Sequence, residues 1–369
     1  MGKTRIRIVK RDGCAKWKTV LMYLIAILVA LGIGAILLMS LDVNPFQYYG
    51  KMFTMGMVDN HIAYKTVENY IKAFVPLLIT AVALSLSFKI RFWNIGGEGQ
   101  FIVGAITAAT IAFTCGESLG PGLTIILMLL AAMLAAGIYG GIIALLKVRF
   151  KTNETLLTLM FNYIALYLLL YLGETKASWN FFLNPESERP IFGSFADIVS
   201  FPTIGIGKFS LNLTLIFAII LCIIIYVYLK YTKHGYEISV VGDSIGTAKY
   251  AGMKVSKIVL RTVFISAALI GLAGALKVGT AGILSTSITD NVGWTGIIVA
   301  WLSKLNTVAI FVVSALICVL DTGSTIASST YSAVDANFAD ILQGIILFSV
   351  LVADFCTRFK IVISKKEEQ

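Results

Sequence analysis

The sequence predicts an all-α polytopic membrane protein with about ten transmembrane elements, from its composition, its recurring apolar runs and the placement of its basic residues. Of 369 residues, 58% are hydrophobic and 14% charged, with a mean hydropathy of +0.87; soluble classes are excluded on those grounds. Apolar runs recur along the whole chain at lengths suited to a hydrocarbon core about 30 Å thick. The lysines and arginines, which leave a net charge of +10, gather in clusters between the runs. They read as topology signals and not as a nucleic-acid surface.

The elements follow in order. Residues 1–19 carry Lys3, Arg5, Arg7, Lys10, Arg11, Lys16 and Lys18 ahead of an apolar run at 20–39. No small-x-small cleavage site follows, so the run is expected to stay as an inward-facing signal anchor. Residues 40–70 are mixed polar and aromatic. The run at 73–88 contains Pro76, Thr80, Ser85 and Ser87, which suggests a kinked interior helix. Residues 101–113 are apolar but too short for a perpendicular span. The run at 123–146 is long, and Ala131, Ala132, Ala135, Ala136, Gly137, Gly140 and Gly141 would let another helix approach closely. Residues 155–172 place Asn162 and Tyr163 at mid-depth, where an amide needs a partner or water. Residues 173–210, rich in aromatics and proline, read as an ordered external loop. After 211–229 comes the main internal loop, 230–261, with six basic residues. Runs at 262–276, 292–302, 308–320 and 341–355, the middle two short, lead to a basic tail at 356–369.

Ten elements with both ends inside place 23 of the 30 lysines and arginines on the inner side and 7 outside. That bias fixes a cytoplasmic orientation for both termini of a single transmembrane domain spanning 1–369.

The stretch from Phe88 to Gly104 interrupts two apolar runs with Gly96, Gly97 and Gly99 and with the polar Asn94, Glu98 and Gln100. Glycines free the backbone there, so a broken or re-entrant element fits; a tight inner loop is the plainer alternative. Gly293 and Gly296 interrupt a short element of opposite polarity. The two suggest an inverted repeat of elements 2–5 and 7–10.

Catalytic chemistry is missing. No GxSxG, HExxH or intramembrane carboxylate pair is present, and Pro202 stands where a P-loop glycine would precede Gly207-Lys208. Five scattered cysteines and two isolated histidines, read as loop residues, indicate neither disulfide framework nor metal. Glu98, Glu154, Asp321 and Asp354 fall at the ends of the expected elements, leaving little for an ion relay. Energy then comes from a partner, or the protein is a passive pore. Residues 242–252 bear on the choice: Asp243 or Ser244 can cap a short helix that Gly252 closes, a knob of exposed small residues including Gly242 and Ala248, or else a solvated linker.

With Asn94 to Gln100, Asn153-Glu154 followed by Phe161 to Ala165, Gly242 to Gly252, and Gly293 to Leu302 in order, the chain resembles ABC importer permeases of the branched-chain/simple-sugar type, particularly the nucleoside-importer branch. The resemblance runs from about residue 76 to 353. It implies a type II importer fold in a bacterial plasma membrane, working with a second, related permease, an ATPase subunit on each, and a substrate-binding lipoprotein of the basic-membrane-protein type. No cofactor is implied. It also implies that Asn94 to Gln100 form the broken element at the substrate pathway, and that Gly242, Asp243, Ala248 and Gly252 belong to the segment coupled to the ATPase. Two departures stand out: Asp243-Ser244-Ile245 replaces a frequent Asn-Pro pair, and no proline follows Lys304-Leu305-Asn306. A neutral, hydroxyl-rich solute needs amides rather than fixed charge, which suits Asn94, Gln100 and Asn162 as lining residues, with Glu98 anchoring backbone. Asn162 bonding a neighbouring helix is the alternative.

Overall fold

The computed structural model describes residues 4–10, 16–58, 63–335 and 337–365; Lys3, Arg11, Cys14, His61 and Lys366 lie outside them. Strand β1 (Thr4–Lys10) leads into α1 (Lys16–Ser40), α2 (Pro45–Phe53), α3 (Ala63–Lys89), α4 (Gly97–Leu119), α5 (Pro121–Phe150) and α6 (Glu154–Glu174). A hairpin of β2 (Thr203–Ile206) and β3 (Phe209–Asn212) precedes α7 (Thr214–Tyr231), α8 (Lys233–Asp243), α9 (Ile245–Tyr250) and α10 (Val255–Ala281). The chain closes with α11 (Val292–Leu302), α12 (Thr307–Ser328), α13 (Phe338–Arg358) and β4 (Phe359–Lys365).

Among the described residues, nine helices are long and apolar enough to cross a membrane, and α11 is a shorter apolar helix. The protein is all-α and polytopic. β1 pairs antiparallel with β4, Thr4 opposite Lys365 and Lys10 opposite Phe359.

The chain divides into two compact bodies, Ile62–Cys318 and the paired ends Met1–His61 with Val319–Gln369. In the larger body, α3 and α10 have 89% and 72% of their apolar windows buried, against at most 39% for any other span. A helix apolar all round belongs inside, and these two form the centre. The interior position expected for the Pro76 helix holds. α10 lies on the small-residue face of α5, where Ala136 and the Ala132 carbonyl would meet any Cβ placed on Gly271. The same glycine faces Gly104 of α4, so three helices meet at backbone distance, as the alanines and glycines of 123–146 led one to expect. In the other body, α1 packs on α13, with the Tyr23 hydroxyl donating to Asp354 at 2.7 Å. There α2, unforeseen in the sequence, is capped by Asn44 with Pro45 in its first turn and buries Tyr48 and Met52.

Several expectations need correction. The apolar stretch 101–113 is the middle of α4, a 23-residue helix; its first turn recruits the glycine-rich stretch because distant residues satisfy its polar groups. Likewise 308–320 extends to Ser328, so Asp321 lies inside α12 and not at an end. Residues 211–212 belong to β3. The internal loop 230–261 is largely helical, and His234 sits in the first turn of α8. The stretch 173–210 is ordered, with Phe182, Phe195 and Val199 buried among residues of α4 and α6.

Candidate permeation and coupling site

α3 ends in a tight turn: Arg91 takes a left-handed φ of 57°, and the Arg91 and Phe92 N–H groups bond back to Phe88 and Ser87. The chain then folds back. Gly97, the first residue of α4, rests on Leu84, five residues before the end of α3. At about 1.5 Å per residue, α4 begins roughly 7 Å inside the end of its neighbour. A helix start so placed exposes N–H groups that need partners, and Gly96 offers no side-chain cap. Other elements supply them. Asn94 accepts from the Gly96 N–H at 3.1 Å and exchanges two amide bonds of 3.1 Å with Gln100. Asn162, from α6, accepts from the Gly99 N–H at 2.8 Å and donates to the Ile95 carbonyl at 2.8 Å. Thr158, one turn earlier on α6, accepts from the Ile95 N–H at 3.2 Å. Asn94 and Gln100 have no exposed surface and Asn162 has 6%.

The second broken element meets the first through Glu98. Its Oε2 accepts from the Gly293 N–H at 2.8 Å. One carboxylate thus stands between the N-termini of α4 and α11, where two helix dipoles favour negative charge. Gly293 is obligatory, since a Cβ there would strike the Glu98 backbone. Gly296 passes close to Thr80 and Leu84 of α3. At the far end of α11, Trp301 stacks on Trp93 with centroids 5.1 Å apart.

Below this lies the segment 232–258. Thr232 caps α8 and Ser244 caps α9, accepting from the Thr247 N–H at 3.2 Å. Gly252 closes α9 with φ +72°. The predicted short helix is present, and of the small residues expected to be exposed Gly246, Ala251 and Gly252 are, whereas Gly242 and Ala248 are buried. Ala248 is fully buried in a cluster with Ile238, Val241 and Ile258 that also takes in Ile90 and Phe92 of the broken-element loop. Gly242 packs directly on the Lys89 carbonyl, and Arg91 Nη2 donates to the Asp243 carbonyl at 3.2 Å. Asp243 and Gly252 are exposed, as are Ile245 at 52% and Tyr250 at 97%. Arg261 of α10 donates to Glu237 of α8 at 2.9 Å, with His234 of α8 at 3.5 Å from the same carboxylate. The Arg261 guanidinium holds the Glu237 carboxyl below the usual carboxylate range.

Residues 66–351 match the family described as the permease component of the branched-chain amino acid transport system. The chain belongs to that family. This permease is 29% identical to the guanosine ABC transporter permease protein NupP of Bacillus subtilis, over 92% of this chain and 94% of the relative. It is 26% identical to the nucleoside ABC transporter permease protein NupB of Lactococcus lactis subsp. cremoris, over 91% and 92%. It is also 26% identical to the glucose ABC transporter permease protein TsgB13 of Haloferax volcanii, over 92% and 89%. No solved structure matches the permease.

Of the residues expected at the pathway, Asn94, Glu98, Gln100 and Asn162 are brought together with Gly96, Gly97, Gly99, Gly293 and Gly296 in one hydrogen-bonded unit. The Asn94 and Asn162 carboxamides bond the broken backbone, and the Gln100 carboxamide bonds that of Asn94. Thr158 joins them without any sequence signal, and Arg91 links the unit to Asp243. Among the described residues no group of histidine, cysteine, aspartate and glutamate could hold a metal.

Proposed function

We propose that this permease is the membrane-spanning subunit of an ATP-driven importer for nucleosides, oriented with both termini in the cytoplasm of a bacterial cell. It works beside a second, related permease, receives solute from an external lipoprotein, and is driven by a separate ATPase seated on α9. The continuity of α9 with the broken element carries the reading. Ala248, Ile90 and Phe92 share one packed cluster, and the same loop continues into the network that joins α4, α6 and α11. Because packed interiors resist local compression, a push on α9 reaches Glu98 and Gly293 instead of being absorbed. The exposed Tyr250 and Ile245 supply the apolar contact for the ATPase, with Asp243 and Gly252 at its edge. Nucleosides are favoured by the names of NupP and NupB; a sugar is the second reading, favoured by the name of TsgB13.

The test uses reconstituted vesicles with the full set of subunits, in which uptake of guanosine and of glucose is measured beside ATP hydrolysis. Tyr250→Glu is expected to leave protein level intact while separating hydrolysis from uptake. Enlarging Ala248 or Gly242 is a poorer test, because both are interior and a bulkier side chain there strains the segment itself. Normal coupled uptake in Tyr250→Glu would overturn the assignment of α9.

A further inference from the structure

α1 and α13 run antiparallel: β1 ahead of one pairs with β4 behind the other, and Tyr23 near the start of α1 meets Asp354 near the end of α13. Between them lies an open groove of about 440 Å³, lined by Met22, Val29 and Ile33 of α1 and by Phe348, Val352 and Cys356 of α13. Its surface is almost wholly apolar, and Val29, Phe348 and Val352 are exposed in it. From Met22 to Ile33 is about 16 Å at 1.5 Å per residue, the depth of one leaflet of a hydrocarbon core about 30 Å thick. The groove follows the first half of Leu21–Ser40, a run long enough to cross a membrane. It therefore has the length and the chemistry of a single acyl chain.

The groove ends, at Met22 and Cys356, beside the most basic part of the chain. Residues 1–19 and 356–369 hold 11 lysines and arginines against 3 acidic residues, a surplus of 8 in a net charge of +10. Strand register arranges part of that charge. Successive residues of a strand alternate between faces, and directly opposed residues share one. Arg5 opposite Ser364, Arg7 opposite Val362 and Val9 opposite Lys360 fall on one face of the β1–β4 ribbon, while Ile6 opposite Ile363 and Ile8 opposite Ile361 fall on the other. One face is basic and the other apolar, which suits the boundary between lipid and water. Trp17 marks the same level: it is exposed, with Lys18 Nζ 5.5 Å from its ring centre, and tryptophan gathers at that boundary.

We propose that the groove between α1 and α13 holds one anionic glycerophospholipid from the leaflet next to the basic ends. An acyl chain lies along Met22 to Ile33, and the phosphate sits among Lys18 and the basic face of the β1–β4 ribbon. Charge decides between the occupants. A helix from another subunit could fill the apolar groove but would make no use of the basic cuff at its end, whereas basic residues beside a span attract anionic lipid. Asp354, the acidic residue at that end of α13, accepts from the Tyr23 hydroxyl at 2.7 Å. The site is independent of what the permease carries.

The test is native mass spectrometry of the whole importer after incubation in detergent with equal amounts of phosphatidylglycerol and phosphatidylcholine carrying identical acyl chains. One phosphatidylglycerol per permease is expected to be retained, at least about fivefold over phosphatidylcholine, the factor that one basic residue near a membrane surface supplies. Arg5→Gln combined with Arg7→Gln and Lys360→Gln should bring that ratio to about one, and Val29→Trp, which fills the groove, should remove the bound lipid. Thermal unfolding checks that both variants fold; if Val29→Trp does not, the charge variant decides alone. Equal retention of the two lipids by the native chain would overturn the site, as would an excess of phosphatidylglycerol that the charge variant leaves unchanged. A photo-crosslinking side chain placed at Val29 that captures another subunit instead of lipid would also overturn it, by showing protein in the groove.

Discussion

Replacing Asn162 with leucine is expected to unsettle the fold together with transport. Asn162 is almost fully buried and its carboxamide serves two backbone groups, the Gly99 N–H and the Ile95 carbonyl, each at 2.8 Å. Leucine is close to asparagine in size but serves neither. Leaving one buried backbone group unpaired costs about 1–3 kcal/mol, so the two together come to roughly 2–6 kcal/mol, less what Thr158 and a relaxed loop recover. A loss near 2 kcal/mol lowers the melting temperature of a chain of this size by roughly 3 °C. The assay is thermal unfolding of the purified permease in detergent, beside assembly with its partners and uptake. Stability and assembly should fall with transport. Unchanged unfolding and assembly with impaired uptake would refute the bracing argument and return Asn162 to the wall of the route.

Gly293→Ala should be destabilising by about 1–3 kcal/mol through overpacking against the Glu98 backbone, whereas Gly344→Ala, which has open space, should be near neutral; thermal unfolding compares them. Glu237, whose carboxyl Arg261 holds below its ordinary value of 4.5, contributes stability that is present above that value and is lost as pH falls through the depressed one. Arg261→Met should therefore flatten the fall in melting temperature between pH 5 and the acid limit. For topology, a cysteine at Glu188 should label from outside the cell and one at Ser244 only after permeabilisation, following the 23 to 7 division of basic residues; the opposite pattern would invert the orientation.

What was legible in the sequence was whatever depends on near neighbours. The alanines and glycines of α5 recur at helical spacing, so their face announced a close partner before α10 was known to be there. Ser244 and Gly252 bracket a short helix by local capping, and α9 is where they put it. Its buried side was not legible, because six residues give too little periodicity to tell Ala248 from Tyr250. α4 was read too short because its first turn is polar, and the groups that make that turn affordable, Asn162 and Gly293, lie 63 and 195 residues away in the chain. The alternation of Arg5-Ile6-Arg7-Ile8 is a strand signal that an expectation of a basic tail passed over, and Asn44-Pro45 announced α2 in the same way.

The broken element also explains why its polar residues look like a pathway in sequence and like a brace in space. A backbone that stops being helical inside a membrane must have its N–H and carbonyl groups met by side chains, and amides do both jobs at once, donating and accepting. Asn94, Gln100 and Asn162 are accordingly committed to Gly96, Ile95, Gly99 and one another. Glu98 joins this brace to α11, one end fixed in α4 and its carboxylate on the first turn of α11. Because the loop ahead of α4 is built into the cluster around Ala248, the carboxylate that holds the first turn of α11 is three residues beyond Ile95 and eight beyond Ile90, with a hydrogen bond or a packed side chain at nearly every step between. A displacement at α9 therefore has a short route to the first turn of α11, and it passes through the brace.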